Sequence, residues 1–322
     1  MGTERAAPRT ALALRDALPW GDVVEVVRTA EQTGYETLFL PEVGGRETFS
    51  TLSALAMRTT AIGLATGVVP TAARLMDVTA MAAATVHDVS AGRMILGLGT
   101  GPPDPGALGR LRSYVEGVRS LFDGRTIADD RHGEPFRLGL PVRPPLPVWI
   151  AALGPRAVAL AGEVADGVLL NWCTPERVAE ARRTVDASAR AAGRDPRDVT
   201  IGVYVRAVIG PEPDHALPAL RAAAGRYAGY PAYARQFAAM GLGDEARAAA
   251  DAVRSGRPDE VPERLVRAVT VAGADGEAAA ALERYRTAGA DVVAVYPVPV
   301  RDPVSSILAT VFGLAPRPGV EA

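Results

Sequence analysis

The sequence predicts an α/β fold: a (β/α)8 TIM barrel with insertion segments at the C-terminal face. Two observations carry this. Short apolar runs alternate with Ala-rich amphipathic stretches almost from end to end, which demands a parallel sheet with helices outside it. About eight such units fit into 322 residues, which favours a closed barrel over an open doubly wound sheet. Residues 1–322 read as one barrel domain, with no repeat beyond the βα unit itself.

The elements follow in order. Residues 10–14 form an apolar strand. Residues 22–33 form a helix, with Asp22 as its cap and Gly34 closing it. Residues 37–40 are a strand, and 49–59 a helix with small and apolar side chains at i, i+3 and i+4. Residues 62–69 read as one apolar strand, 76–88 as a helix, 94–98 as a strand and 106–122 as a helix. The proline-rich stretch 124–147 breaks the rhythm and is expected to be an insertion across the barrel mouth. Strands at 148–152, 168–171 and 199–208 then alternate with helices at 155–164 and 175–192. Residues 211–262 are a helical insertion, Ala- and Arg-rich and carrying Tyr227, Tyr230, Tyr233 and Phe237, that reads as a lid. A short apolar segment at 265–272, a helix at 275–288 and a last strand at 291–295 complete the count. The rest is a tail, and the ends 1–8 and 316–322 are expected to be disordered.

In a barrel the chemistry sits on the loops that follow the strands. Those loops are 41–48, 67–74, 99–104, 153–156, 171–174, 206–213 and 296–302.

Composition narrows the function. Formal net charge is −2, so the electrostatic footprint of a nucleic-acid binder is missing. No stretch approaches the length of a membrane span. The charged residues among positions 1–20 leave no clean signal segment, so the expected location is cytoplasmic. A single cysteine, Cys173, excludes an intrachain disulfide and reads as a small apolar residue. Every basic residue is Arg, which excludes Schiff-base chemistry and a Walker lysine. Any phosphate must be held by Arg, backbone N–H groups or hydroxyls. No metal site is expected from His87, His132 and His215. His87 ends a helix and reads as structural; the other two lie in the insertions, within reach of a substrate.

Several motifs stand out. Residues 97–101, GLGTG, resemble a nucleotide loop, but Pro102 breaks the dinucleotide pattern. Residues 153–156, LGPR, follow a strand and open a helix. Pro155 suits the first turn, and the free N–H groups beside Arg156 make an anion site. Gly67 and Val68 interrupt an apolar strand, as a bulge or a close ligand approach would. Glu42, at a strand's C-terminal end, is a candidate acid, base or ring contact, or else a salt-bridge partner of Arg46. Trp172 could wall a flat ring or plug the core rim.

Taken together, residues 38–46 (LFLPEVGGR), 62–69 (IGLATGVV), 90–101 (SAGRMILGLGTG), 152–157 (ALGPRA), 162–168 (GEVADGV) and 192–196 (AGRDP) resemble the luciferase-like monooxygenase superfamily. The likeness is to its deazaflavin-using branch, similar to methylenetetrahydromethanopterin reductase and to actinobacterial hydride-moving reductases. It covers about 10–208 well and 268–297 loosely. The resemblance implies a barrel holding coenzyme F420, or alternatively FMN, at the strands' C-terminal ends, and a homodimer. It implies a bulge with a non-proline cis peptide at Gly67–Val68. It further implies cofactor contacts from Glu42, Thr66, Gly67, Val68, Thr100, Gly101, Gly154, Pro155, Arg156, Asn171 and Trp172. Three departures matter. Val43 stands where sugar-phosphate dehydrogenases and luciferases carry His, Pro102 stands where the former carry Glu, and no Lys is present for a sugar phosphate. The expected function is hydride transfer between F420 and a small organic metabolite. The alternative is a reduced-FMN monooxygenase that uses oxygen. Glu42, His132, His215 and Tyr230 are the candidate proton donors, with Glu42 the catalytic candidate.

Overall fold

The computed structural model describes residues 8–15, 17–102, 104–128, 134–210 and 213–316. Its strands are β1 (Arg9–Ala13), β2 (Thr37–Leu40), β3 (Gly63–Thr66), β4 (Val69–Pro70), β5 (Met94–Gly99), β6 (Val148–Ala151), β7 (Gly167–Asn171), β8 (Thr200–Ile209), β9 (Thr270–Gly273) and β10 (Val292–Pro297). Every strand pairing is parallel. The path β1-β2-β3-β5-β6-β7-β8-β10 closes where β10 pairs β1, with Arg9 opposite Val292. This is the expected (β/α)8 barrel. β9 adds to the outer half of β8, in register Arg206 to Thr270.

The interior mixes very small and very large side chains. Ala11, Ala13, Ala65 and Ala294 make room for Phe39, Trp149 and Tyr204. A Cβ on Gly167 of β7 or Gly202 of β8 would come within 2.5 Å or 2.7 Å of the Trp149 ring, so glycines on the next two strands accommodate that indole. A second, larger core lies between strands and helices and runs from Leu12 to Leu314. The helices Pro213–Ala228, Pro231–Ala239, Gly243–Arg254 and Glu263–Val269 bury a core of their own around Trp172, Phe237 and Leu265.

The structure corrects several expectations. Residues 62–69 are not one strand: the chain breaks after Thr66 at the cis Gly67–Val68 bond and resumes as β4. The first helix, Trp20–Gln32, starts at Pro19 with no side-chain cap, and Asp22 sits in its first turn. The second, Thr48–Ala56, is capped by Glu47, whose carboxylate accepts from the N–H groups of Phe49 and Ser50 at 3.2 Å and 2.7 Å. The expected tail contains a helix, Pro303–Gly313, capped by Asp302 and tied down by the Tyr35 hydroxyl donating to the Val311 carbonyl, 3.0 Å. The expected disorder at 1–8 and 316–322 falls almost wholly outside the described residues.

The described parts of the stretch 124–147, namely 124–128 and 134–147, do not cross the mouth: they lie between helix Ala107–Phe122 and β6, at the opposite, N-terminal end of the barrel. There His87 Nε2–H donates to the Pro144 carbonyl at 2.8 Å, in keeping with a structural His87. Among the described residues no helix is long and apolar enough to cross a membrane, and no cluster of metal-ligating side chains forms.

Candidate functional site

A cavity of 1180 Å³ opens at the C-terminal end of the strands. Glu42, Gly67, Val68, Thr100, Gly101, Gly154, Pro155, Arg156 and Asn171 all line it. Thr66 and Trp172 do not. Thr66 is fully buried behind the floor; its Oγ1 donates to the Gly97 carbonyl and accepts from the Gly97 N–H, both at 2.8 Å. That hydroxyl replaces the ladder bonds lost where β3 breaks. Trp172, with a positive φ of 52°, turns its indole away from the cavity into the core of the helices between Pro213 and Val269, against Tyr227 at 4.9 Å and Phe237 at 6.5 Å.

The floor is backbone. The Tyr204 hydroxyl donates to the Gly67 carbonyl at 3.0 Å, and the Gly67 N–H donates to the Leu40 carbonyl at 2.7 Å. A Cβ at Gly67 would lie 1.8 Å from the Tyr204 hydroxyl, and one at Gly99 would lie 2.8 Å from Val68 Cγ2. Only glycine permits these approaches. The result is a surface of bare peptide that a flat ring can lie against.

Glu42 stands beside the floor. Arg74 Nε donates to its Oε1 at 2.9 Å, while Arg46 instead donates to the Leu18 carbonyl, so the expected Glu42–Arg46 bridge is replaced by Glu42–Arg74. Arg74 also pairs with Glu47 and lies 4.9 Å over the Phe49 ring. Among the described residues, Glu42 Oε2 is buried with no hydrogen-bond partner. A buried acceptor without a donor costs free energy unless a ligand supplies one.

The far wall holds residues that the motif reading did not single out. Along β8, Gly202, Tyr204 and Arg206 follow the period-2 alternation that turns side chains into a barrel. Asn171 Nδ2 donates to the Tyr233 hydroxyl at 2.8 Å, Asn171 Oδ1 accepts from Arg206, and Gln236 Nε2 donates to the Asn171 and Trp172 carbonyls. Burial raises the phenols: Tyr233 to about 12, Tyr204 well above its ordinary value and Tyr296 upward. These side chains therefore keep their O–H at neutral pH and can donate. The available signal was an Arg inside the otherwise apolar strand YVRAVI.

Tyr230 is half exposed and does not line the cavity, which sets it apart from Tyr233. His132 lies outside the described residues, as does the side chain of His215. Cys173 is buried, and burial pushes its thiol up to about 12, so it is inert at neutral pH.

The rim is the start of helix Pro155–Val164. Gly154 is its N-cap, Pro155 its first residue, and no side chain caps it. Arg156 beside it is exposed. The Ala157 and Val158 N–H groups donate to the Gly154 carbonyl and Pro155 has none, so the Arg156 N–H and guanidinium are the donors this turn presents.

The Luciferase-like monooxygenase family profile matches residues 4–292. The chain belongs to that family. It is 31% identical over 199 residues to the 5,10-methylenetetrahydromethanopterin reductase of Methanolobus tindarius, covering 56% of this chain and 60% of that protein. The matching reductase of Archaeoglobus fulgidus is 30% identical over 61% of this chain and 62% of its own length. The chain thus spans about three fifths of these reductases. A Mycobacterium tuberculosis protein named as a coenzyme F420-dependent oxidoreductase is 28% identical over 80% of this chain and 85% of its own. Among solved structures, the F420-dependent tetrahydromethanopterin reductase of Methanopyrus kandleri superposes with a TM-score of 0.78, 20% identity and coverage of 96% and 98%. At that identity the likeness concerns the fold.

Proposed function

We propose that the protein is an oxidoreductase that moves a hydride between coenzyme F420 and a small organic metabolite, reducing a C=C or C=N bond or running the reverse. The observation that carries this is the cavity floor: side-chain-free peptide at Gly67, with the unpartnered Glu42 Oε2 beside it. The relatives named as F420-dependent enzymes support the choice of cofactor.

The cavity fits the group. The bare floor takes a flat ring, Glu42 Oε2 takes an N–H from it, and the rim takes an anionic tail. The deazaflavin, when bound, supplies the hydride. Gly67 and Val68 orient the ring by close backbone contact. Arg156 and the first turn of helix Pro155–Val164 hold the phosphate. The helices from Pro213 to Val269 shield the cavity from water, as lids do. Tyr296 and Tyr233 line the cavity as protonated phenols, and one of them would supply the single proton that completes reduction, its phenolate then being reprotonated from solvent. Tyr204 is committed to the Gly67 carbonyl and positions the floor. The proposal takes the protein as a cytoplasmic homodimer, and light scattering tests the dimer.

Titration with oxidised F420 and, separately, with FMN tests the reading by absorbance and fluorescence. Selective micromolar binding of F420 is expected. Preference for FMN would replace it with an oxygen-using monooxygenase, and binding of neither would remove the enzyme reading.

A further inference from the structure

The cavity holds one charge that the cofactor reading does not use. Arg206 is 4% exposed, yet it lines the cavity. Its guanidinium lies 4.4 Å from the Trp172 ring and 4.4 Å from the Tyr296 ring, with Tyr227 at 5.2 Å. Among the described residues its hydrogen-bond acceptor is a neutral amide, Asn171 Oδ1, and no carboxylate pairs with it.

The contrast with its neighbours is sharp. Arg177, similarly buried, has Glu180 at 2.5 Å and the Leu153 carbonyl at 3.0 Å. The carboxylates that line the cavity are taken by other arginines: Glu42 by Arg74, Asp104 by Arg110 and Glu163 by Arg112. A buried cation without a counter-ion is costly, and ring contacts offset only part of that cost. Arg carries a permanent charge, and its planar fork suits a carboxylate bidentately.

We propose that Arg206 is the anchor for a carboxylate on the substrate. The substrate class is therefore an unsaturated carboxylic acid, its unsaturation following from the oxidoreductase reading, held between the Tyr296 side of the wall and the floor. Its position supports this. The Tyr204 ring lies 5.9 Å from the Arg206 guanidinium, and its hydroxyl holds the Gly67 carbonyl. The anchor thus adjoins the floor, whereas the cofactor's phosphate belongs to the exposed rim at Arg156. The assignment of that acid as a hydride acceptor rests on the oxidoreductase reading.

The test uses cinnamate and cinnamamide as probes, titrated into the whole protein and followed by tryptophan fluorescence, with F420 titrated separately. Cinnamate is expected to bind at least about tenfold more tightly than the amide, because the charge-assisted bonds are lost in the amide. Arg206→Gln should weaken cinnamate about tenfold or more and leave the F420 dissociation constant within about twofold. Equal binding of acid and amide by the wild type overturns the proposal, as does failure of cinnamate to bind at millimolar concentration. An Arg206→Gln variant that keeps cinnamate but loses F420 also overturns it, by assigning the guanidinium to the cofactor. If that variant does not fold, the wild-type acid-to-amide ratio decides alone. Cinnamate selectivity without F420 binding leaves the anchor standing and removes the oxidoreductase reading.

Discussion

The two ends of the barrel use the same polar residue types in opposite ways. At the N-terminal end charges close loops. The Glu31 carboxylate accepts from the backbone N–H groups of Thr60, Ala61 and Ile62 at 2.8, 2.7 and 3.0 Å. Arg93 donates to the carbonyls of Ala56, Thr59, Ile62 and Ser90. Asp166 accepts from the Val148 N–H and Asp291 from the Ile201 N–H. At the C-terminal end, among the described residues, Glu42 Oε2 has no donor, Arg206 has no carboxylate and helix Pro155–Val164 has no side-chain cap. Charges that meet backbone and side-chain partners within the protein hold the fold; charges left facing a cavity await a ligand. The comparison therefore predicts which substitutions move stability and which move binding.

The largest effect belongs to the N-terminal end. Arg93→Ala strips donors from several half-buried carbonyls at once and should lower the unfolding free energy by about 3 kcal/mol or more. Urea unfolding measures it. The folded variant should bind F420 as the wild type does, and a midpoint unchanged from wild type would end the contrast between the two ends.

Gly67→Ala mixes the two behaviours, because the floor belongs to both the core and the site. The new Cβ displaces the Tyr204 hydroxyl, at a cost of about 1–3 kcal/mol. It also roughens the floor, so F420 affinity should fall with stability. Thermal unfolding and titration on one sample test the link; retained affinity would place the ring elsewhere.

The same division explains what the sequence disclosed. The alternation of apolar runs gave the barrel and most of its strands, because each strand is buried on both faces. The glycines at 67, 99, 101 and 154 marked cavity positions, because a missing side chain is visible in a sequence. Trp172 misled, since its indole packs against Tyr227 and Phe237 and does not line the cavity. Arg206 and Tyr296 fall within the post-strand loops expected to carry chemistry. What makes Arg206 informative is the partner it lacks, which emerges only when distant segments meet: Asn171 lies 35 positions away and the nearest rings, Trp172 and Tyr296, sit on other segments. The stretch 124–147 was misplaced because proline content marks an irregular segment without saying which end of the barrel it covers.

Arg156→Ala sharpens the comparison from the ligand side. The side chain is exposed and uses no protein partner among the described residues, so the melting temperature should not move. The F420 dissociation constant should rise about tenfold, near 1.4 kcal/mol. An unchanged constant would remove Arg156 from the phosphate site.

The smallest effect is one of pH. Burial works against ionisation of Glu31, but its three backbone N–H bonds and Arg93 outweigh that and hold its carboxyl below the ordinary value of 4.5. A group whose folded value lies below its unfolded one adds stability above the unfolded value and loses it as pH falls through the folded one. The melting temperature of the wild type should therefore decline on acidification from about pH 4.5 downward. Glu31→Gln removes this titrating group, so its melting temperature should start lower at neutral pH and fall less steeply in acid. Because Glu31 lies at the N-terminal end, F420 affinity at neutral pH should be the same in both proteins. An acid slope equal to that of the wild type would show that the carboxylate's backbone bonds do not stabilise the folded state.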